Sequence, residues 1–121
     1  MPKKILVIDD DPDILEILDI IFKQEGYEVI LSETGQEPEH ILEISPDLVL
    51  LDIRLKGSDT NGGEICAKIK SKPETSHLPV IMLSSEDNLK EISDQCGANA
   101  YISKPFKVSQ LINKVNELLA A

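Results

Sequence analysis

The sequence predicts an α/β fold, in which helices cover both faces of a parallel sheet. Short segments rich in isoleucine, leucine and valine alternate along the chain with longer segments in which apolar residues recur at helical spacing. The segment 48–51 contains no polar residue, as is typical of a strand buried on both faces. Acidic or hydroxyl-bearing residues follow several of these segments, at the ends of strands where α/β sheets bind their ligands.

Size and composition predict one domain. At 121 residues the chain can bury a hydrophobic core, so we expect a single domain over residues 1–121 with no effector domain. The net charge of −10 argues against nonspecific binding to nucleic acid or to an anionic membrane. No apolar segment is long enough for a signal peptide or a membrane span, so we expect a cytoplasmic location. Cys66 and Cys96 have no metal-binding spacing and are far apart in sequence, which predicts neither a disulfide nor a zinc site.

Five strands are predicted to alternate with five helices. The strands are short apolar segments bounded by turn residues or charges, at 5–8, 27–31, 48–51, 78–83 and 100–102. The helices are amphipathic segments at 12–25, at 34–44, from the glycine-rich loop 56–63 to residue 72, at 87–96 and at 107–119. Pro12 suits the first position of a helix, and Gly26 ends that helix. This first helix has more apolar residues than one buried face requires, so some of them should be exposed.

The alternation predicts right-handed crossovers and a flavodoxin-like doubly wound sheet with the strand order 2-1-3-4-5. In that order the first and third strands are neighbours. Asp9, Asp10 and Asp52 then converge at the carboxyl ends of these strands. Ser84 and Lys104 reach the same edge from the ends of the fourth and fifth strands.

The predicted cluster of carboxylates points to phosphoryl chemistry. Carboxylates in one crevice repel one another, so either their pKa values rise or a cation neutralises them. An all-oxygen site suits Mg²⁺, with Mn²⁺ as the alternative, and magnesium commonly binds a phosphate oxygen beside one or two carboxylates. A carboxylate such as Asp52 can attack phosphorus to give an acyl phosphate. Lys104 would offset charge on the transferred oxygens, and Ser84, a weak nucleophile without a base, would donate a hydrogen bond to them.

Four motifs, in this order and spacing, resemble the receiver domains of two-component response regulators and are similar to the single-domain chemotaxis receiver. They extend over essentially the whole chain: Ile8-Asp9-Asp10-Asp11-Pro12, Asp47-Leu48-Val49-Leu50-Leu51-Asp52, Pro79-Val80-Ile81-Met82-Leu83-Ser84, and Gly97-Ala98 followed by Tyr101 and Lys104-Pro105-Phe106. The resemblance implies a signalling receiver that takes a phosphoryl group from a phosphohistidine donor. It implies a protein that promotes its own phosphorylation and dephosphorylation, and not an enzyme that turns over a separate substrate.

The resemblance also implies roles for individual residues. Asp52 would accept the phosphoryl group and, with Asp10, bind Mg²⁺ directly, while Asp9 would act through water and Arg54 through its backbone carbonyl. The implied partners are a histidine kinase or a histidine-phosphotransfer protein, and an unidentified downstream protein that binds the face of the fourth helix, last strand and last helix.

Other implied roles concern the switch between two states. Ser84 would move towards the phosphoryl group, Lys104 would pair with it, and Tyr101 would swing between exposed and buried positions. The Lys104–Pro105 peptide bond would be cis. The chain departs from the family pattern after the third strand, where Lys56 replaces a usual proline in a longer loop, and at Ser84, where threonine is commoner.

Two further hypotheses concern the surface around this site. Arg54 and Glu86 each lie two residues beyond a site residue, so they could pair across the path of attacking water and prolong the life of an acyl phosphate. A docking patch for a histidine-phosphotransfer helix could include part of the apolar surplus of the first helix: Ile14, Leu15, Ile17 and Phe22.

Two other functions fit the same fold class. A flavin- or nucleotide-binding module needs a loop of backbone amides after the first strand, where this chain has three aspartates and Pro12. A small phosphatase of the haloacid-dehalogenase type would use Asp9 and Asp11 as a DxD motif. The threonine that usually follows that motif is absent, and the chain is short for that fold.

Overall fold

The computed structural model describes residues 2–34, 38–55 and 61–120. Within these residues the strands are β1 (Lys4–Ile8), β2 (Glu28–Ser32), β3 (Leu48–Leu51), β4 (Val80–Ser84) and β5 (Ala100–Ser103). The helices are α1 (Pro12–Gln24), α2 (Pro38–Ile44), α3 (Gly62–Ser71), α4 (Leu89–Cys96) and α5 (Val108–Leu119).

The strands form one parallel sheet in the order β2-β1-β3-β4-β5, which confirms the predicted topology. The last residues of β1 and β3 are paired, so Asp9 and Asp52 leave the sheet side by side. Ser84 and Ser103, the last residues of β4 and β5, are also paired. Lys104 therefore emerges next to the end of β4.

Side chains along the strands alternate between two buried clusters, one on each face of the sheet, as the pleat of a strand requires. The cluster beneath α2, α3 and α4 contains Leu6, Ile8, Val49, Leu51 and Met82 from the strands. The cluster beneath α1 and α5 contains Ile5, Val7, Leu48, Leu50 and Ile81. All four residues of β3 are buried, which confirms the prediction of a strand covered on both faces. In the described part of the chain, each helix is too short or too polar to cross a membrane.

α1 carries the predicted apolar surplus, and the structure shows which residues form it. Ile17 is 46% exposed and Ile20 is 52% exposed, while Ile14 is half-buried. Leu15 and Phe22 are buried in the core, so of the four residues considered for a docking patch only Ile14 and Ile17 are accessible. The periodicity of a helix shows that apolar residues share a face, but the packing of α1 on the sheet decides which of them are covered.

The starts of two predicted helices can be compared with the structure. The described part of α2 starts at Pro38, a residue type that the first turn of a helix accommodates. Thr34 is not helical, and residues 35–37 of the predicted helix lie outside the described residues. α4 begins at Leu89 rather than at Asp87.

The third connection and the fourth strand also differ from expectation. β4 begins at Val80, two residues later than predicted, and Pro79 before it has no N–H to donate to a neighbouring strand. Of the long loop predicted at 56–63, residues 56–60 lie outside the described residues. Gly62 and Gly63, which were assigned to that loop, belong to the first turn of α3.

The first turn of α3 lies directly against the end of β3. Gly62 N–H donates to the carbonyl of Ile53 at 2.7 Å, and the side chain of Asn61 caps the helix by accepting from Glu64 N–H at 2.9 Å. A Cβ atom placed on Gly62 would lie 1.9 Å from the carbonyl oxygen of Asp52. No side chain fits at this distance, so glycine is required here for close approach and not for an unusual φ angle.

We expect Gly62→Ala to lower the free energy of unfolding by about 3 kcal/mol, because the added methyl group must displace the backbone of Asp52. Urea unfolding followed by circular dichroism measures the change. Gly63→Ala is the matched control on the same helix, since its Cβ would meet only side-chain atoms and no backbone, with Ile92 Cγ2 at 3.1 Å and Asn61 Oδ1 at 3.2 Å. Its cost should stay within about 1 kcal/mol, and equal effects of the two substitutions would show that the contact with Asp52 does not constrain the turn.

Candidate functional site

Three aspartates meet at the carboxyl edge of the sheet, as predicted. Asp52 is held next to β1 by its own N–H, which donates to the carbonyl of Ile8 at 2.9 Å. One carboxylate oxygen from each of Asp9, Asp10 and Asp52 lies within 4.8 Å of the others. Asp9 and Asp52 are buried, and Asp10 is half-buried. Proteins use such a set of carboxylate oxygens to bind a hard divalent cation, so this donor set fits Mg²⁺ or Mn²⁺.

Lys104 joins the two buried carboxylates. Its Nζ lies 2.8 Å from Asp9 Oδ2 and 3.3 Å from Asp52 Oδ2. The backbone fixes the approach of this side chain, because Lys104 N–H donates to the carbonyl of Ser84 at 2.9 Å. The Lys104–Pro105 peptide bond is cis, as the resemblance implied. The site therefore combines residues from the ends of β1, β3 and β5.

Burial and charge act in opposite directions on the ionisable groups of this cluster. Burial raises the pKa of Asp9, the hydrogen bonds from Lys104 and Asp11 lower it, and the charge of Asp52 raises it further, so that the net pKa is raised. Repulsion from Asp52 thus raises the pKa of Asp9 less than burial does, although the sequence predicted repulsion as the cause. Burial would lower the pKa of Lys104, but its hydrogen bond to Asp9 and the charge of Asp52 raise it above the usual value.

Backbone N–H groups orient both buried carboxylates. Asp52 Oδ1 accepts from Ile53 N–H at 2.7 Å, and Asp9 Oδ1 accepts from Asp11 N–H at 3.0 Å. These bonds leave Asp52 Oδ2 facing Lys104. Sequence reasoning missed both N–H donors, because every residue except proline carries one and only the conformation of the chain shows where it points.

Ser84 and Arg54 lie at the same edge. Ser84 is buried, and its Oγ accepts a hydrogen bond from Glu86 N–H at 3.3 Å. As an acceptor in this bond, the hydroxyl keeps its own proton for donation. The guanidinium of Arg54 forms an ion pair with the carboxylate of Glu86, as predicted, and links the segment after β3 to the segment after β4.

Tyr101 and Asp47 lie away from the carboxylate cluster. Tyr101 is on β5, at the outer edge of the sheet, and is 41% exposed, which corresponds to the exposed one of the two positions that the resemblance implies. Asp47 lies at the opposite end of β3, where its carboxylate accepts from Lys4 N–H at 2.7 Å. Gly62, which contacts the backbone of Asp52, was not singled out from the sequence, and a glycine pair before the third helix was the only sign of it.

Comparison with known proteins identifies the family. Residues 5–116 match the family model of the response regulator receiver domain. A protein from Chloroflexus aurantiacus assigned as a response regulator has a crystal structure similar to this one, with 31% sequence identity, full coverage of both chains and a TM-score of 0.91. The receiver domain of NtrX from Brucella abortus is 34% identical over 97% of this chain and 98% of its own, with a TM-score of 0.84.

The chemotaxis protein CheY4 from Vibrio cholerae shares the fold, with a TM-score of 0.86 over 98% of this chain and 100% of its own, at 22% identity. The family match favours a receiver domain over both alternatives, the flavin- or nucleotide-binding module and the haloacid-dehalogenase-type phosphatase. Receiver domains are phosphoacceptors rather than enzymes that turn over a separate substrate, and they act with histidine kinases and downstream effectors. The chain belongs to the response regulator receiver domains of two-component signalling.

Proposed function

We propose that the chain takes a phosphoryl group from a phosphohistidine donor onto Asp52 with the help of Mg²⁺, and that the modified protein changes the face it offers to a downstream partner. The observation that carries this proposal is the position of Asp52, buried between Asp9 and Lys104 at the carboxyl edge of the sheet. The proposed location is cytoplasmic, where kinase and effector would meet it.

The proposed cation ligands are Asp10 and Asp52 directly, Asp9 through water, and the backbone carbonyl of Arg54. The carboxylate oxygens within 4.8 Å of one another support this assignment. When bound, Mg²⁺ would neutralise charge on the carboxylates and on the oxygens of the transferred group. Mn²⁺ has the same preference for oxygen ligands and is the alternative.

In the proposed transfer, a carboxylate oxygen of Asp52 attacks phosphorus and the bond from phosphorus to the donor imidazole nitrogen breaks. The electron pair of that bond stays with the imidazole, and the product on the receiver is an acyl phosphate. Lys104, 3.3 Å from Asp52 Oδ2, offsets negative charge on the transferred oxygens. The hydroxyl of Ser84 donates a hydrogen bond to one of them. Attack by water on the same phosphorus releases phosphate and restores the carboxylate.

We propose Ser84 and Tyr101 as the switch residues. Ser84 lies at the end of β4, and Tyr101 lies on the neighbouring strand β5, paired with Met82 of β4. A shift of the β4 end towards the phosphoryl group therefore acts next to the strand that carries Tyr101. The exposed ring of Tyr101 belongs to the face built from α4, β5 and α5, which we propose as the surface for the downstream protein.

Phosphorylation by a small donor tests the assignment of Asp52. We expect acetyl phosphate with Mg²⁺ to add one phosphoryl group to the wild-type chain, observed as an increase in intact mass, and to add none to Asp52→Ala or after chelation of the metal. Asp47→Asn is the matched control, because Asp47 belongs to the same strand region but lies at its opposite end. Phosphorylation that survives in Asp52→Ala would overturn the proposal.

The ion pair of Arg54 with Glu86 supports a role in the lifetime of the acyl phosphate. The Arg54 side chain is 83% exposed, so the pair contributes little to stability. It joins the segments that follow β3 and β4, on either side of the proposed phosphoryl position. Its effect should therefore fall on the access of water rather than on folding.

We expect Arg54→Ala to speed loss of the phosphoryl group about threefold, which corresponds to about 0.7 kcal/mol of the barrier to hydrolysis. Release of phosphate from purified phosphorylated protein measures the rate. Lys90→Ala removes another exposed ion pair, with Asp94 on α4, and should leave the rate unchanged. An equal lifetime for Arg54→Ala and the wild type would argue against shielding.

An apolar groove beside Lys104 supports docking of the donor. It has a volume of about 540 Å³ and is lined by Ile14, Ile17, Ser85, Lys104, Pro105, Phe106 and Val108. Lys104 belongs both to this groove and to the carboxylate cluster, so a helix lying in the groove would bring its phosphohistidine close to Asp52. We propose that the groove binds the helix of the histidine donor.

We expect Ile17→Ala to slow transfer from a phosphorylated histidine-phosphotransfer protein about tenfold, because truncation removes apolar contact area from the proposed interface. Labelling by acetyl phosphate should be unchanged. Ile20→Ala is the matched control, since Ile20 is equally exposed on α1 but does not line the groove. Equal slowing by both substitutions, or equal slowing with both donors, would contradict docking in the groove.

A further inference from the structure

Folding brings together the two cysteines that lie far apart in sequence. Cys66 is on α3 and Cys96 is the last residue of α4, and both are free thiols in the buried layer between these helices and the sheet. The thiol of Cys66 lies 3.5 Å from the carbonyl oxygen of Cys96. They are thirty positions apart in the chain, a spacing that offers no reason to pair them.

The two thiols differ in their access to solvent. Cys66 is 0% exposed, whereas Cys96 is 7% exposed and lines a cavity of about 340 Å³ between α3 and α4. Ala67 and Ile92 form part of the apolar wall of this cavity, and it opens to solvent. A small molecule can therefore reach Cys96 first, and Cys66 only through Cys96.

We propose that Cys66 and Cys96 form a reversible modification site, at which Cys96 reacts first with a peroxide and Cys66 then closes a disulfide that joins α3 to α4. The reactant proposed for this site is a small peroxide. None of its residues belongs to the carboxylate cluster, so the inference stands whether or not Asp52 is phosphorylated.

The electrostatic environment favours this order of events. Contact with the Cys66 side chain lowers the pKa of Cys96 to about 7, against the opposing effect of burial. The same contact, together with burial, raises the pKa of Cys66, whose thiol donates to the carbonyl oxygen of Cys96. The ammonium of Lys70, which donates to the carbonyl of Leu78 at 2.6 Å, also favours a thiolate on Cys96. The thiolate is the reactive form of cysteine.

The proposed oxidation proceeds in two steps. The Cys96 thiolate attacks one oxygen of the peroxide, an S–O bond forms, the O–O bond breaks, and the leaving oxygen takes a proton as water or an alcohol. Cys66 sulfur then attacks the sulfur of this sulfenic acid, an S–S bond forms, and the S–O bond breaks. The departing hydroxide takes the Cys66 proton as water. The two thiols lose two electrons to the peroxide, and a dithiol reductant reverses the change.

Mass spectrometry of the folded protein tests the site. We expect hydrogen peroxide to convert the wild-type chain to a monomeric species lighter by two hydrogen atoms, with a peptide that links Cys66 to Cys96, and dithiothreitol to restore the original mass. The oxidised protein should unfold at a temperature higher by about 5 °C or more, because the link closes a loop in the unfolded chain.

Single substitutions separate the two roles. Cys66→Ser should stop at a sulfenic acid on Cys96 that dimedone traps, while Cys96→Ser should leave Cys66 unmodified until the protein is unfolded by urea. Cys66→Ala serves the same purpose if the serine variant is unstable. A disulfide only between two chains, oxygen addition to Cys96 at equal yield in wild type and Cys66→Ser, or reaction of either thiol only after unfolding would each overturn the proposal.

Discussion

The ion pairs of Lys104 determine how the functional edge of this protein is arranged. Its ammonium contacts Asp9 and Asp52, which are buried and follow the adjacent strands β1 and β3. Removal of one partner from a buried ion pair leaves a charge uncompensated, at a cost of about 3–5 kcal/mol. Because Lys104 follows the edge strand β5, this interaction couples the outer part of the sheet to its centre.

Backbone hydrogen bonds keep these charges in place. Asp52 N–H donates to the last residue of β1, and Lys104 N–H donates to the last residue of β4. The carbonyl of Ile53 accepts from the first N–H of α3. Each segment that carries a site residue is therefore attached to a neighbouring element independently of the side chains. Such attachment would allow the charge on Asp52 to change while its position stays fixed, which a phosphoacceptor requires. Gly62 makes the closest of these approaches and leaves no space for a side chain.

The sequence was sufficient to predict the parts of this structure that depend on local pattern and on topology rules. Short apolar segments identified the strands, and the flavodoxin-like strand order, which makes the first and third strands neighbours, then brought Asp9 and Asp52 together. Contacts set by packing were not predictable in this way. Leu15 and Ile17 are both apolar residues of α1, yet only the seating of the helix on the sheet buries one and exposes the other. The approach of Gly62 to Asp52 and that of Cys66 to Cys96 likewise depend on how α3 and α4 pack.

α4 connects the two sites at which we propose modification, Asp52 and the pair Cys66 and Cys96. The segment before it carries Ser84, whose Oγ accepts from Glu86 N–H and whose carbonyl accepts from Lys104 N–H. Its last residue, Cys96, contacts Cys66 on α3. A phosphoryl group that draws Ser84 and Lys104 towards Asp52 would act where α4 begins, whereas a disulfide would act where it ends. Because α4 has only eight residues, holding its end against α3 would limit how far its beginning can follow Ser84. The oxidation state of the thiol pair would therefore alter the movement that phosphorylation would produce without altering Asp52, the proposed phosphoacceptor.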